Sequence, residues 1–166
     1  MSNEVLKEKN DLLENAQTTI LATVDKNGNP NSSYAPVFID QNLNLYIYIS
    51  ELSQHTKNLL ENSLVSLMII EDESKSKSIF ARKRLSLNGE CKPIKRDTKL
   101  WNDKVELMEQ RFDETFTYLK QMKDFHLFRI NPVSGLLVYG FGKAFNLTGE
   151  KLDIIVHLNE SGHKTD

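Results

Sequence analysis

Thr18-Thr19-Ile20-Leu21-Ala22-Thr23-Val24-Asp25-Lys26-Asn27-Gly28-Asn29-Pro30 alternates along its first part and then turns. The first part is rich in β-branched residues, which suits a pleated strand with one buried face. The second part collects Asp, Asn, Gly and Pro, residues that tolerate positive φ or bond their side chains back to the local backbone. Together they predict a hairpin, with the return strand from Ser32 to Ile39. That strand breaks at Asp40-Gln41-Asn42, and Leu43-Asn44-Leu45-Tyr46-Ile47-Tyr48-Ile49 then alternates clearly. Three antiparallel strands in succession make a meander.

Upstream, Val5, Leu6, Leu12, Leu13 and Ala16 form one apolar stripe, so a helix is expected from Val5 to Ala16. Downstream, Ser53 is placed to cap a short helix through Glu61, with Asn62 suited to its end. Leu64 to Ile70 is a nearly continuous apolar run, which predicts a strand buried on both faces. Glu71 to Ser78 is polar and reads as a surface loop. A strand follows from Lys83 to Cys91, and Asp97 is the expected cap of a helix carrying Leu100, Trp101, Val105, Leu107, Met108 and Phe112, with a continuation after a break through Phe116 and Leu119. Two further strands are expected, Phe125 to Ile130 and Leu136 to Phe145, separated by the turn-like Asn131-Pro132-Val133-Ser134-Gly135. Thr148 to His157 suits either a short helix or a strand. The pattern is mainly β with flanking helices, and it favours an antiparallel barrel over a parallel α/β sheet.

Composition narrows the possible functions. The 166 residues carry a net charge of −2, so no global positive field draws the chain onto nucleic acid or acidic lipid. A single cysteine, Cys91, excludes an internal disulfide, a four-cysteine zinc site and a covalently attached c-type haem. No run reaches the roughly 18 to 20 apolar residues that span a bilayer, and no basic-then-apolar leader opens the chain. A single cytoplasmic domain covering residues 1–166 is expected.

Several residues are candidates for chemistry. Arg82, Lys83 and Arg84 open a strand whose alternation sends the two arginines to one face, a guanidinium fork suited to carboxylate or phosphate. A strand edge protected by positive charge has the same pattern. His55 begins the short helix near the hydroxyls of Ser50, Ser53 and Thr56, where an anion could be received; an exposed histidine is the plainer reading. Asp124, just before a strand, is either a turn residue or a carboxylate that orients an imidazole. His126 lies within that strand as a core or surface histidine. His157 and His163 flank Glu160 without a recognised zinc spacing, although Gly162 gives His163 a flexible approach to a metal.

Across nearly its whole length the sequence resembles the HugZ/HutZ-type haem-utilisation proteins of the pyridoxamine 5′-phosphate oxidase-like, FMN-binding split-barrel superfamily. The matching stretches include Leu21 to Asp25, Ser33 to Pro36, His55 to Leu59, Ile70 to Glu73, Phe80-Ala81-Arg82-Lys83-Arg84-Leu85, Lys123-Asp124-Phe125, Gly140-Phe141-Gly142-Lys143-Ala144, His157-Leu158 and Gly162-His163. The resemblance implies a homodimeric, antiparallel Greek-key split β-barrel with haem at the dimer interface. It makes His163, on a C-terminal loop from 157 to 166, the ligand of the haem iron. Asp124 would support that histidine from across the interface, and Arg82 to Arg84 would lie near the propionates. The implied activity is oxygenative opening of the porphyrin with an external electron donor. The same scaffold admits two alternatives, an FMN enzyme holding phosphate through Arg82, Lys83, Arg84 and Ser50, or a haem carrier without turnover.

Overall fold

The hairpin forms as expected. In the computed structural model, which describes residues 2–158, β1 (Thr18–Val24) pairs antiparallel with β2 (Pro30–Pro36) from Thr18↔Pro36 to Val24↔Pro30. Its turn is held by Asp25, whose Oδ1 accepts the N–H groups of Asn27 at 2.8 Å and Asn29 at 2.9 Å, while Gly28 takes φ +84°. The same turn recurs at Asp40-Gln41-Asn42-Leu43-Asn44, where Asp40 Oδ1 accepts from the Asn42 and Asn44 amides and Leu43 stands at φ +60°. Two Asp-x-Asn-x-Asn segments thus build two like turns. The second connects β3 (Phe38–Ile39) to β4 (Leu45–Ser50).

Closure of the sheet follows from its connectivity. The strands run in the order β2-β1-β5-β6-β7-β4-β3, with β5 (Leu64–Ile70), β6 (Arg84–Ile94) and β7 (Phe125–Val138) in the middle. β2 and β3 therefore lie at opposite ends of the path, yet only Val37 separates them in sequence. One residue spans about 3.8 Å from Cα to Cα, so the two ends must curl together. Val37 is 0% exposed, and its N–H bonds Gln17 O at 2.9 Å. The result is a curled, split antiparallel barrel. β8 (Ala144–Thr148) pairs with β7, and β9 (Ile154–His157) pairs with β8, so the 148–157 segment is the outer arm of a hairpin.

Among the described residues, four α-helices flank this barrel. α1 (Ser2–Asn15) places Val5, Leu12 and Leu13 against the barrel interior, which also holds Leu21, Leu67, Leu85, Phe128 and Leu137. α2 (Gln54–Glu61) follows Ser53 and ends at Asn62, as read. α3 (Lys99–Arg111) and α4 (Glu114–Leu119) cover the outer face of β4 and β7 and form a second cluster around Tyr46, Tyr48, Trp101, Met108 and Phe116.

Five expectations need correction. The meander does not form: the return strand expected from Ser32 to Ile39 breaks at Val37, so β2 pairs with β1 while β4 pairs with β3 and β7. β4, not β5, is the strand buried on both faces, because α3 and α4 cover its outer side; in β5 only Val65, Leu67 and Ile69 are buried, and Leu64 is 60% exposed. Thr98, not Asp97, caps α3, accepting the Trp101 N–H at 3.3 Å, because Asp97 adopts φ +64° and turns the chain one residue earlier. Asn131 to Gly135 does not separate two strands. β7 continues through it, with a bulge in which Gly89 faces Pro132, Asn88 faces Ser134, and Val133 is the extra residue. The reading that carried a strand from Leu136 to Phe145 instead crosses the turn at 139–143 that joins β7 to β8.

Candidate functional site

The last residue of β4 and the first of β7 meet in their antiparallel pairing, which brings two of the candidate residues together. Ser50 faces Phe125 in the β4–β7 register, so its side chain reaches the residue just before that strand. Ser50 Oγ donates to Asp124 Oδ2 at 2.8 Å, and the Glu51 N–H donates to Asp124 O at 2.8 Å. The carboxylate is thereby fixed at one oxygen and at its own backbone. Asp124 Oδ1 makes no hydrogen bond among the described residues. Beside it, His126 Nε2 lies 2.5 Å from Glu51 Oε1, a pairing that sequence reasoning missed because it depends on the same register.

Ser50 also opens onto a cleft of about 630 Å³ between the barrel and the α3–α4 layer. Met108, Phe112, Phe116 and Phe125 give it apolar walls, and Ser53 and His55 are among its polar members. His55 is buried at the start of α2, and that burial pushes its pKa below the usual histidine value. It is therefore a neutral imidazole at pH 7, not an exposed cation. The Ser53 hydroxyl makes no capping bond to α2.

The basic stretch lies at the other end of β7. Arg84 begins β6 and faces Val138, the last residue of the strand that Phe125 begins. Arg82 sits ahead of the strand, after a short 3-10 turn, so the expected two-arginine fork on one strand face does not form. Its Nε donates to Glu71 O at 2.8 Å and its Nη1 to Glu73 Oε1 at 3.0 Å. Lys83 pairs with Glu8 of α1. Arg84 uses Nη1 on Arg82 O at 2.9 Å, and its Nε and Nη2 have no partner among the described residues. No hydrogen bond or ion pair among those residues joins this group to Asp124, Ser50 or His55.

The remaining candidates are partly placed. His157 stacks on Phe145 at 4.5 Å, and its Nε2 meets Gly142 O at 2.7 Å, so Nε2 carries a proton and donates it. Gly162 and His163 lie outside the described residues. Cys91 is buried, and burial pushes its thiol up to about 12, which removes it as a nucleophile near neutral pH. Among the described residues no group of three or more His, Cys, Asp or Glu side chains is placed to hold a metal ion, and no helix is long and apolar enough to cross a membrane.

Comparison with known proteins gives this geometry a setting. Residues 5–139 match the family profile described as pyridoxamine 5′-phosphate oxidase. The chain is 44% identical over 148 residues to haem oxygenase HutZ of Vibrio cholerae, covering 89% of this chain and 83% of that protein. The crystal structure of HutZ from Vibrio cholerae, there called a haem storage protein, superposes with a TM-score of 0.77 at 37% identity, over 82% of this chain and 97% of that one. ChuZ from Campylobacter jejuni superposes with a TM-score of 0.87 at 30% identity, over 98% of this chain and 66% of that one.

Proposed function

The chain belongs to the pyridoxamine 5′-phosphate oxidase family and, within it, to the HugZ/HutZ-type haem-utilisation proteins, and from that premise we propose that it is a haem-degrading oxygenase. Haem is the substrate, and bound haem supplies the O₂ chemistry that opens the porphyrin ring once an external donor provides electrons. The protein's task is to bind the ring, fix the iron ligand and control access. The ligand is His163, and Asp124 accepts the N–H on the far side of its imidazole, which sets the tautomer and strengthens the donor nitrogen. The observation that carries this reading is the Ser50–Asp124 pair. It fixes one carboxylate oxygen and leaves the other without a partner among the described residues.

The residues present suit such a ligand. The cleft beside Ser50 has aromatic walls fit for a flat apolar ring, while Arg84 keeps N–H groups for a propionate carboxylate. Those two features stand at opposite ends of β7, so one haem meets both only if two copies of the chain share it. An exposed apolar group at the Arg84 end supports a homodimer: Phe80 is 90% exposed and Phe141 74%. Each site then takes Asp124 from one protomer and His163 from its partner.

Haem titration followed by ascorbate in air tests the reading. Oxygenase activity appears as stoichiometric binding and then loss of the Soret band. A Soret band that persists under reductant and air supports storage instead, the use named for HutZ in its crystal structure. Tight FMN binding with no haem binding would support the flavin chemistry that the family name carries.

A further inference from the structure

Asp124 sits in a turn, residues 120–124, whose carbonyls take most of their partners from outside the turn: Glu51 N–H bonds Asp124 O, and Phe125 N–H reaches Met122 O at 3.4 Å. One guanidinium bonds two of these carbonyls and that of Phe125. Arg96, just past the end of β6, donates from Nη1 to Lys120 O at 3.1 Å and from Nη2 to Met122 O at 2.6 Å and Phe125 O at 3.3 Å. Nη2 also lies 2.8 Å from Tyr48 Oη, and Tyr48 O–H in turn donates to Lys120 O at 3.2 Å. The guanidinium lies over Trp101, with its carbon 4.8 Å from the ring centre. Arg96 therefore grips the chain on both sides of Asp124 without touching the aspartate itself.

We infer that Arg96 is a positioning residue for Asp124: by gathering the carbonyls of Lys120, Met122 and Phe125 it fixes the turn that aims the carboxylate. This rests on the reading of Asp124 as the support of the iron ligand. The grip requires a planar fork with several donors, which arginine has and the single ammonium of lysine lacks. If the turn relaxes, the Glu51 N–H to Asp124 O bond and the Ser50 to Oδ2 bond both lose their geometry. A misplacement of about 1 Å in a supporting group can cost on the order of a hundredfold in rate.

The test begins on haem-free protein, by NMR of the parent, Arg96→Lys and Arg96→Gln, with Asp124→Asn to assign the carboxylate resonance. In both Arg96 variants the Glu51 amide should exchange at least about tenfold faster, as expected when a charge-assisted hydrogen bond holding the turn is lost. The Asp124 carboxylate carbon should also shift, while the Leu21 and Ser33 amides of the β1–β2 hairpin stay protected. Should Arg96→Gln fail to fold, Arg96→Lys carries the measurement. Unchanged Glu51 exchange and an unmoved Asp124 resonance in Arg96→Lys would overturn the inference. With haem and ascorbate, Arg96→Lys should displace the pH profile of turnover in the same direction as Asp124→Asn, with no further displacement in the double variant. If the NMR changes appear and neither single variant alters that profile, the positioning role stands and the reading of Asp124 falls.

Discussion

Ser50 occupies one oxygen of Asp124, and in the proposed site the other oxygen accepts from the iron ligand. Asp124→Asn keeps an acceptor but loses the anionic support, so haem affinity should fall little while the pH profile of turnover moves; spectrophotometric assays from pH 5 to 8 measure both. Ser50→Ala frees the second oxygen and should lower turnover with a smaller effect on the profile. His55 gives an independent titration at the same cleft. Burial places its folded pKa below the unfolded value of about 6.5, so the unfolded chain takes up its proton more readily. Its contribution to stability is complete above about pH 6.5 and is lost as the pH falls through the folded pKa. Urea midpoints should drop between pH 7 and 5 in the parent and drop less in His55→Gln. Both Ser50 and Asp124 are visible in the sequence as polar residues at strand ends. Their contact was not, because it follows from the β4–β7 register, which no local pattern encodes. Arg82 was misread for a related reason: alternation assumes a strand, and the strand begins at Arg84.

At the level of elements, the β6–β7 bulge governs how the long strand β7 serves three sheet neighbours, β6, β4 and β8. A Cβ added at Gly89 would press on the carbonyl of Asn131, lying 3.0 Å from its carbon and 3.2 Å from Pro132 Cα, and backbone cannot swing aside as a side chain can. Gly89→Ala should cost about 1 to 3 kcal/mol in urea unfolding, with Val133→Ala on the exposed crest of the bulge nearly neutral. The hairpin turn, β1, α2 and β5 were legible because turn chemistry, alternation and capping agree locally. β7 was not, since Asn-Pro and Ser-Gly carry turn signals that a bulge shares. The β8–β9 hairpin stayed ambiguous because its strands are short and one face is exposed.

For the whole molecule, connectivity through Val37 closes the barrel, but where a second copy sits is a property of two surfaces that one chain's pattern does not carry. If each haem takes His163 from one protomer and Asp124 from the other, two defective homodimers should complement each other. Unfolding and refolding an equal mixture of His163→Ala and Asp124→Ala chains makes about half the dimers mixed, each with one intact site, so turnover should recover to about a quarter of the parent value under two-fold symmetry. A mixture as inactive as its components would mean that both residues serve the same protomer's site. Breakdown of haem frees iron whereas storage does not, so single-turnover iron release separates the two. One equivalent of haem is bound to the protein, ascorbate is added in air, and freed ferrous iron is captured by a coloured chelator as the Soret band is followed. We expect the band to disappear with nearly one iron captured per haem, and His163→Ala to lose that coupling. A parent protein whose Soret band survives reductant and air with no iron captured would contradict breakdown.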